Sequence, residues 1–175
     1  RFRAEYFHDS IESVHLVKEE IARRIASAGK QGISMGINDL DCRLKGFKRS
    51  ELTLLAARPS VGKTAFSLHC MIQSAVMERV PTLYQSIEMS AASLMMRLVH
   101  SLANVPMANV EDNILNENQE LAIDQAETRL AGSSFWIDES AAPSIAQISA
   151  RARRLKANSG LGFIIIDYLQ LIRAR

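Results

Sequence analysis

The chain has 175 residues, of which 47% are hydrophobic, and a formal net charge of +2 at pH 7. This length provides for one domain with its own core plus an appendage, and the near-neutral charge neither requires nor excludes a nucleic-acid partner. No apolar run reaches the length of a membrane span and no segment has the layout of a signal peptide, so we expect a cytoplasmic protein without a membrane partner. Cys42 and Cys70 have no metal-site spacing and are predicted to be free thiols.

An amphipathic helix is predicted near the amino terminus. Asp9 and Glu12 form a capping-box pattern, and an apolar stripe follows at helical spacing, made by Ile11, Val14, Val17, Ile21 and Ile25. This stripe needs a covering surface, which is either the chain's own domain or another subunit. The residue pattern alone favours the first option. Residues 1–31 are thus predicted to hold this helix and a connector to the main domain.

A phosphate-binding loop is predicted where an apolar run, residues 52–57, is followed by Gly62, Lys63 and Thr64 at the start of a helical pattern. In such a strand, loop and helix arrangement, backbone N–H groups and the positive helix end surround an anion. Lys63 would reach the β- and γ-phosphates, and Thr64 would offer its hydroxyl to Mg²⁺. The predicted nucleotide-binding residues are Ala57, Arg58, Pro59, Ser60, Val61, Gly62, Lys63, Thr64 and Ala65. The alternative is an ordinary Gly-Lys-Thr tripeptide with a solvated lysine.

Ala57 stands where this motif usually has its first glycine. The substitution is tolerated if Ala57 closes a strand in an ordinary extended conformation, because no positive φ is then needed.

Two acidic residues complete the predicted site. Asp167 ends an apolar, β-branched run and has the form of a Walker B carboxylate that holds Mg²⁺. The alternative for Asp167 is a turn residue at a strand end. Glu88 follows a second predicted strand, residues 82–86, where it could orient the water that attacks the γ-phosphate. Glu88 could equally be an acid before a helix that Ser90 caps.

The order of predicted elements indicates an α/β fold. Strands at residues 82–86, 134–138 and before Asp167 alternate with helices, which is typical of a mostly parallel sheet flanked by helices. The carboxyl ends of parallel strands meet at one edge, so Ala57, Glu88, Asp138 and Asp167 are expected to gather there.

Five stretches of the chain together resemble the DnaB-type replicative DNA helicases, which have a RecA-like P-loop ATPase core. The stretches are residues 36–41, 57–66, 86–89, 153–156 and 165–172. In that family the loop also begins with alanine, as at Ala57. The resemblance covers the chain from about Gly32 to Arg173, and residues 32–175 are therefore predicted to form a RecA-like ATPase domain.

The resemblance implies a homo-hexameric ring that uses ATP and Mg²⁺ to move along single-stranded DNA and part the duplex in a bacterial or phage replisome. It implies that Lys63 and Thr64 bind the phosphates and Mg²⁺, that Asp167 holds the metal, and that Glu88 activates the water. Gln170 would report the nucleotide state to the DNA-binding side. The amino-terminal helix would take the place of the family's linker helix, which docks on a neighbouring subunit. Primase and a helicase loader are further implied partners.

Other functions remain open at this level. A RecA-like recombination or repair ATPase shares the motifs, and a shortened, non-catalytic helicase-like chain could act by docking on a full-length ring. We expect the ATPase domain to be incomplete at its carboxyl end. The chain alone is therefore expected to bind nucleotide weakly and to hydrolyse it poorly, because the family's arginine finger lies further along.

Overall fold

A computed structural model describes residues 9–26, 32–58 and 60–172. The helices are α1 (Ser10–Ala26), α2 (Asn38–Leu44), α3 (Lys63–Met71), α4 (Ala91–Ala103), α5 (Met107–Glu111), α6 (Glu117–Ala131) and α7 (Ile145–Ser159). The strands are β1 (Gly32–Ile33), β2 (Phe47–Lys48), β3 (Thr82–Ser86), β4 (Phe135–Asp138) and β5 (Phe163–Asp167). A π-helical stretch, Ile72–Met77, continues α3, and a 3₁₀ turn, Leu169–Leu171, follows β5. No helix among the described residues is long and apolar enough to cross a membrane.

Side chains at the helix ends explain where the helices begin. Asn116 with Gln119, and Ser144 with Gln147, form capping boxes that satisfy the first amides of α6 and α7. The Asp9 carboxylate likewise accepts from the Glu12 amide at 2.8 Å before α1. The contact between Asp9 and Glu12 confirms the amphipathic helix predicted near the amino terminus.

The central sheet is parallel, in the order β4-β3-β5. Because side chains alternate along β3, Leu83 and Tyr84 point to opposite faces. Tyr84 joins a buried cluster with residues of α3, α4 and α6, whereas Leu83 packs with Ala152 of α7 and with Leu161. Helices therefore cover both faces, as the α/β prediction required. The register pairs Ser86 with Asp167 and Gln85 with Asp138, which brings three strand ends to one edge.

The strand predicted at residues 52–57 is wrong. Residues 51–58 have no regular secondary structure, and Leu52, Leu54 and Leu55 are 83%, 71% and 47% exposed. The physical reason is the lack of a pairing partner. Within the described residues β5 bonds only to β3, and residues 52–57 do not join its other edge. An apolar run becomes a buried strand only when neighbouring strands satisfy its amides and carbonyls.

A small two-stranded antiparallel sheet, which the sequence did not indicate, is formed by β1 and β2, with α2 between them in the chain. The segment that follows β1 is held by Asp41 of α2, whose carboxylate accepts from the Met35 amide at 2.8 Å and from the Ser34 hydroxyl at 2.6 Å. Partial burial acts to raise the pKa of Asp41, but these hydrogen bonds outweigh it and leave the pKa below its usual value. The segment after β1 is thus fixed to α2 by an ionised side chain.

Candidate nucleotide site

The loop before α3 has positive φ at two positions, Ser60 and Gly62. Gly62 has φ +105° and directly precedes α3, and its carbonyl accepts from the Phe66 amide at 2.9 Å. A Cβ atom at Gly62 would meet nothing within 4 Å, so the dihedral angle, not the space, disfavours other residues. The chain enters α3 directly after Gly62. The amides in the first turn of α3 lack partners within the helix and form its positive end.

Lys63 and Thr64 both contact Asp167. The Thr64 hydroxyl donates to Asp167 Oδ2 at 2.7 Å, and Lys63 Nζ lies 3.0 Å from Asp167 Oδ1. Lys63 Nζ also sits 3.9 Å from the centroid of the Tyr168 ring, which adds a cation–π contact. The structure thus brings together three of the residues predicted from two separate motifs. Their roles toward a nucleotide remain predictions.

Two hydroxyl groups that sequence reasoning missed support the same carboxylate. The Tyr84 hydroxyl donates to Asp167 Oδ2 at 3.1 Å, and it lies 2.7 Å from Ser67 Oγ. Burial raises the pKa of Tyr84 far above its ordinary value, and the charge of Asp167 adds to this effect, so the phenol stays protonated. Only their positions in the sequence could have pointed to these two residues. Ser67 lies one helical turn beyond Thr64, and Tyr84 lies on the strand that ends just before Glu88.

Glu88 lies just past the end of β3, in a bend that Ser86 stabilises. The Ser86 hydroxyl donates to the Met89 carbonyl at 2.6 Å, and the Ile87 amide donates to the Asp167 carbonyl at 3.0 Å. Glu88 therefore follows directly on the backbone contact between β3 and the end of β5, and its side chain is exposed. Its action on water stays a prediction.

The helix start that follows Glu88 is satisfied by other residues. The Ser90 side chain accepts from the Ser93 amide, as the capping alternative required, and the Glu139 carboxylate accepts from the Ala91 amide at 2.6 Å. Glu88 lies two residues before the Ser90 cap, as that alternative also expected, and the first turn of α4 itself contains no acidic residue.

The remaining predicted residues are distributed around this centre. Asp138 lies at the same sheet edge, but its carboxylate pairs with Arg151 at 2.5 Å and with Ser140. Gln170 is exposed in the 3₁₀ turn after β5. Ala57, Arg58, Ser60, Val61 and Ala65 are exposed along the loop or at the start of α3, and Pro59 lies outside the described residues. The seven non-glycine residues found with positive φ in the described chain do not include Ala57.

The oxygen atoms of this centre suit Mg²⁺. Magnesium in nucleotide sites is typically held by one or two carboxylates together with phosphates and water, not by a cage made wholly of protein. Thr64 Oγ1 and Asp167 Oδ2 are adjacent hard donors, only 2.7 Å apart. The described residues contain no group of three or more His, Cys, Asp or Glu side chains that could hold a metal ion. The residues present fit an ion that is shared with a nucleotide.

A parallel sheet between helices, with a Gly-Lys-Thr turn at one helix and a strand-end carboxylate in contact with it, defines a P-loop NTPase fold of the RecA-like type. The chain is more particularly a member of the DnaB-like helicase C-terminal domain family, whose model matches residues 32–175.

Curated relatives agree with this assignment. Over 166 residues, or 95% of the chain, it is 37% identical to the replicative DNA helicase DnaC of Bacillus subtilis (strain 168) and to the replicative DNA helicase DnaB of Geobacillus stearothermophilus. The chain spans 35% of the length of each.

Solved structures show the same fold. One of them, described as an ATPase domain, superposes with a TM-score of 0.83 at 27% identity, over 96% of this chain and 61% of that one. A DnaB-like replicative helicase, described with its interactions with primase, gives a TM-score of 0.83 at 28% identity, over 94% of this chain and 41% of that one. The family-level RecA-like prediction is confirmed.

Proposed function

We propose that this chain supplies the ATPase motor of a replicative DNA helicase, which hydrolyses ATP to move along single-stranded DNA and unwind the duplex at the replication fork. The observation that carries the proposal is the meeting of Lys63 and Thr64 with Asp167 at the start of α3. Membership of the DnaB-like family favours this function over a strand-exchange ATPase of recombination or repair.

The residues of the site divide into four roles. The loop, residues 57–65, surrounds the phosphates through its backbone amides, and Lys63 exchanges Asp167 for the β- and γ-phosphates. Thr64 and Asp167 would hold Mg²⁺, which when bound neutralises charge on the transferring phosphoryl group. Glu88 orients the attacking water from the end of β3. Gln170, just after β5, passes the state of the nucleotide to the DNA-binding side.

The amino-terminal helix supports assembly into a ring. The five apolar stripe residues of α1 are all more than half exposed: Ile11, Val14, Val17, Ile21 and Ile25 at 68%, 53%, 57%, 52% and 75%. None of these five residues is buried against the described part of the domain, which supports docking of the stripe on another copy of the chain. We therefore assign residues 1–31 to a linker that docks on a neighbouring copy, and residues 32–175 to the ATPase domain.

Further partners and the location follow from the family. One structural relative is described in terms of its interactions with primase, which supports primase as a partner here. A helicase loader and a cytoplasmic replisome are part of the same proposal.

The test is a titration of fluorescent ATP against the chain at a series of Mg²⁺ concentrations. The wild type should bind more tightly as Mg²⁺ rises, whereas Asp167→Asn should lose most of this dependence, because an amide is a much poorer metal ligand than a carboxylate. Asp138→Asn is the matched control, since it neutralises another strand-end aspartate that pairs with Arg151. Absence of ATP binding by the folded wild type would overturn the proposal, as would equal Mg²⁺ dependence in all three proteins.

A further inference from the structure

The Asp167 carboxylate has three side-chain partners among the described residues. Lys63 contacts Oδ1, while Thr64 and Tyr84 both donate to Oδ2. This inference rests on the function proposed above, in which two of these partners bind other groups. Lys63 would bind the phosphates, and the Thr64 oxygen would bind the metal. Tyr84 is then the side chain still able to donate to the carboxylate.

The position of Tyr84 suits this task. Its side chain is fully buried, at 0% exposure, within the cluster formed with α3 and α4. The ring is therefore held by packing, and the hydroxyl emerges beside Asp167 in a fixed direction. A phenol whose ring is held loses little conformational entropy when it donates a hydrogen bond.

The number of hydroxyl protons limits which hydrogen bonds Ser67 and Tyr84 can make at the same time. Ser67 Oγ lies 2.9 Å from the Thr64 carbonyl and 2.7 Å from the Tyr84 hydroxyl, which itself reaches Asp167. These three contacts share two protons, because Ser67 and Tyr84 have one hydroxyl proton each. An ionised carboxylate can only accept, so Tyr84 must give its proton to Asp167. With the Tyr84 proton committed to Asp167, the contact between Ser67 and Tyr84 can use only the Ser67 proton, for which the Thr64 carbonyl also competes.

We propose that Tyr84 and Ser67 are positioning residues for the metal-binding carboxylate: Tyr84 fixes the orientation of Asp167, and Ser67 acts through Tyr84. Neither residue touches the nucleotide in this scheme. Hydrogen bonds that orient a ligating carboxylate generally contribute about one to two orders of magnitude to metal affinity.

The experiment measures Mg²⁺ affinity and nucleotide affinity separately. Fluorescent ATP is titrated in EDTA, and Mg²⁺ is then titrated at fixed nucleotide. Tyr84→Phe keeps the ring and removes the hydroxyl, and it should weaken the Mg²⁺ midpoint about tenfold while the affinity in EDTA is unchanged. Ser67→Ala should weaken the midpoint less. The double variant should be no weaker than Tyr84→Phe alone, because Ser67 acts through Tyr84.

Ser74→Ala provides the matched control. Ser74 bonds to Thr82 at 2.9 Å, so this change also removes a buried hydroxyl between the helix that follows the loop and β3, but away from Asp167. It should leave the Mg²⁺ midpoint unchanged even if it lowers the melting temperature. The inference would be overturned if Tyr84→Phe had the same Mg²⁺ midpoint as the wild type. It would also be overturned if this variant lost nucleotide affinity equally with and without Mg²⁺. If the wild type itself shows no Mg²⁺-dependent binding, the proposed function fails instead.

Discussion

Replacing Lys63 by alanine should separate nucleotide binding from folding. The ion pair to Asp167 is partly buried, with side-chain exposures of 29% and 11%, and Asp167 keeps its hydrogen bonds from Thr64 and Tyr84 when Lys63 is removed. We therefore expect the free energy of unfolding to fall by only about 1 kcal/mol. Two charge-assisted hydrogen bonds to phosphates are together worth about 3–6 kcal/mol. Subtracting about 1 kcal/mol for release of Asp167 leaves a loss of about 2–5 kcal/mol in binding.

This loss corresponds to a dissociation constant raised about 30-fold or more. Calorimetric or fluorescence titration with ATP measures it, and thermal unfolding measures stability in the same samples. Lys48→Ala is the matched control, because Lys48 also faces a carboxylate, that of Glu51 at 4.0 Å, but does not belong to the loop. The reasoning is refuted if Lys63→Ala remains folded and binds ATP within threefold of the wild type, or if both lysine variants lose affinity equally.

Three further predictions concern other parts of the chain. Iodoacetamide at pH 8 should label exposed Cys42 but spare Cys70 in the folded protein. The reason is that burial, together with the negative charge of Asp41, raises the pKa of Cys70 to about 12. Mass spectrometry showing equal labelling of the two cysteines would contradict this. Asp41→Asn should cost about 1 kcal/mol of stability at pH 7. Because the folded-state pKa of Asp41 is lowered, this difference should begin to shrink when the pH falls below the ordinary pKa of aspartate and should be lost as the pH passes through the lowered folded-state pKa. Denaturant titrations showing the same difference at pH 2.5 as at pH 7 would exclude the mechanism. Ile21→Glu should reduce association of the chain in sedimentation velocity, while Glu19→Gln on the polar side of α1 should not, and equal profiles would argue against docking through the stripe.

Local signals predicted most elements correctly because the chain satisfies its helix ends locally. The Asn116 and Ser144 capping boxes and the Ser90 cap use side chains within three residues of the helix starts that they satisfy, and Gly160 ends α7 through its own backbone in the αL conformation. Such contacts depend little on the rest of the fold, so a sequence pattern suffices to predict them. The same holds for Gly62, where the motif and the positive φ agree.

The wrong strand has the opposite cause. Residues 52–57 have the composition of a buried strand, but this composition favours a strand only where neighbouring strands are present to pair with it. Strand pairing is a non-local property, and in the described chain the outer edge of β5 is not joined by these residues. The amphipathic stripe of α1 was easier to predict as a helix than to assign to a partner for the same reason. Periodicity identifies a face, and only the structure shows whether the chain covers it.

The contact set of Asp167 shows most clearly what the sequence lacks. The motif alone placed an aspartate at a strand end, but the register of β3 against β5 decides which side chains reach it. With Ser86 opposite Asp167, Tyr84 lies two residues back on the same face and extends its phenol to the carboxylate. A slip of one residue would turn Tyr84 toward α7 and bring Leu83 to the loop-facing side, because side chains alternate along a strand. The sheet register, which arises from packing on both faces, thus converts separate motifs into one connected site.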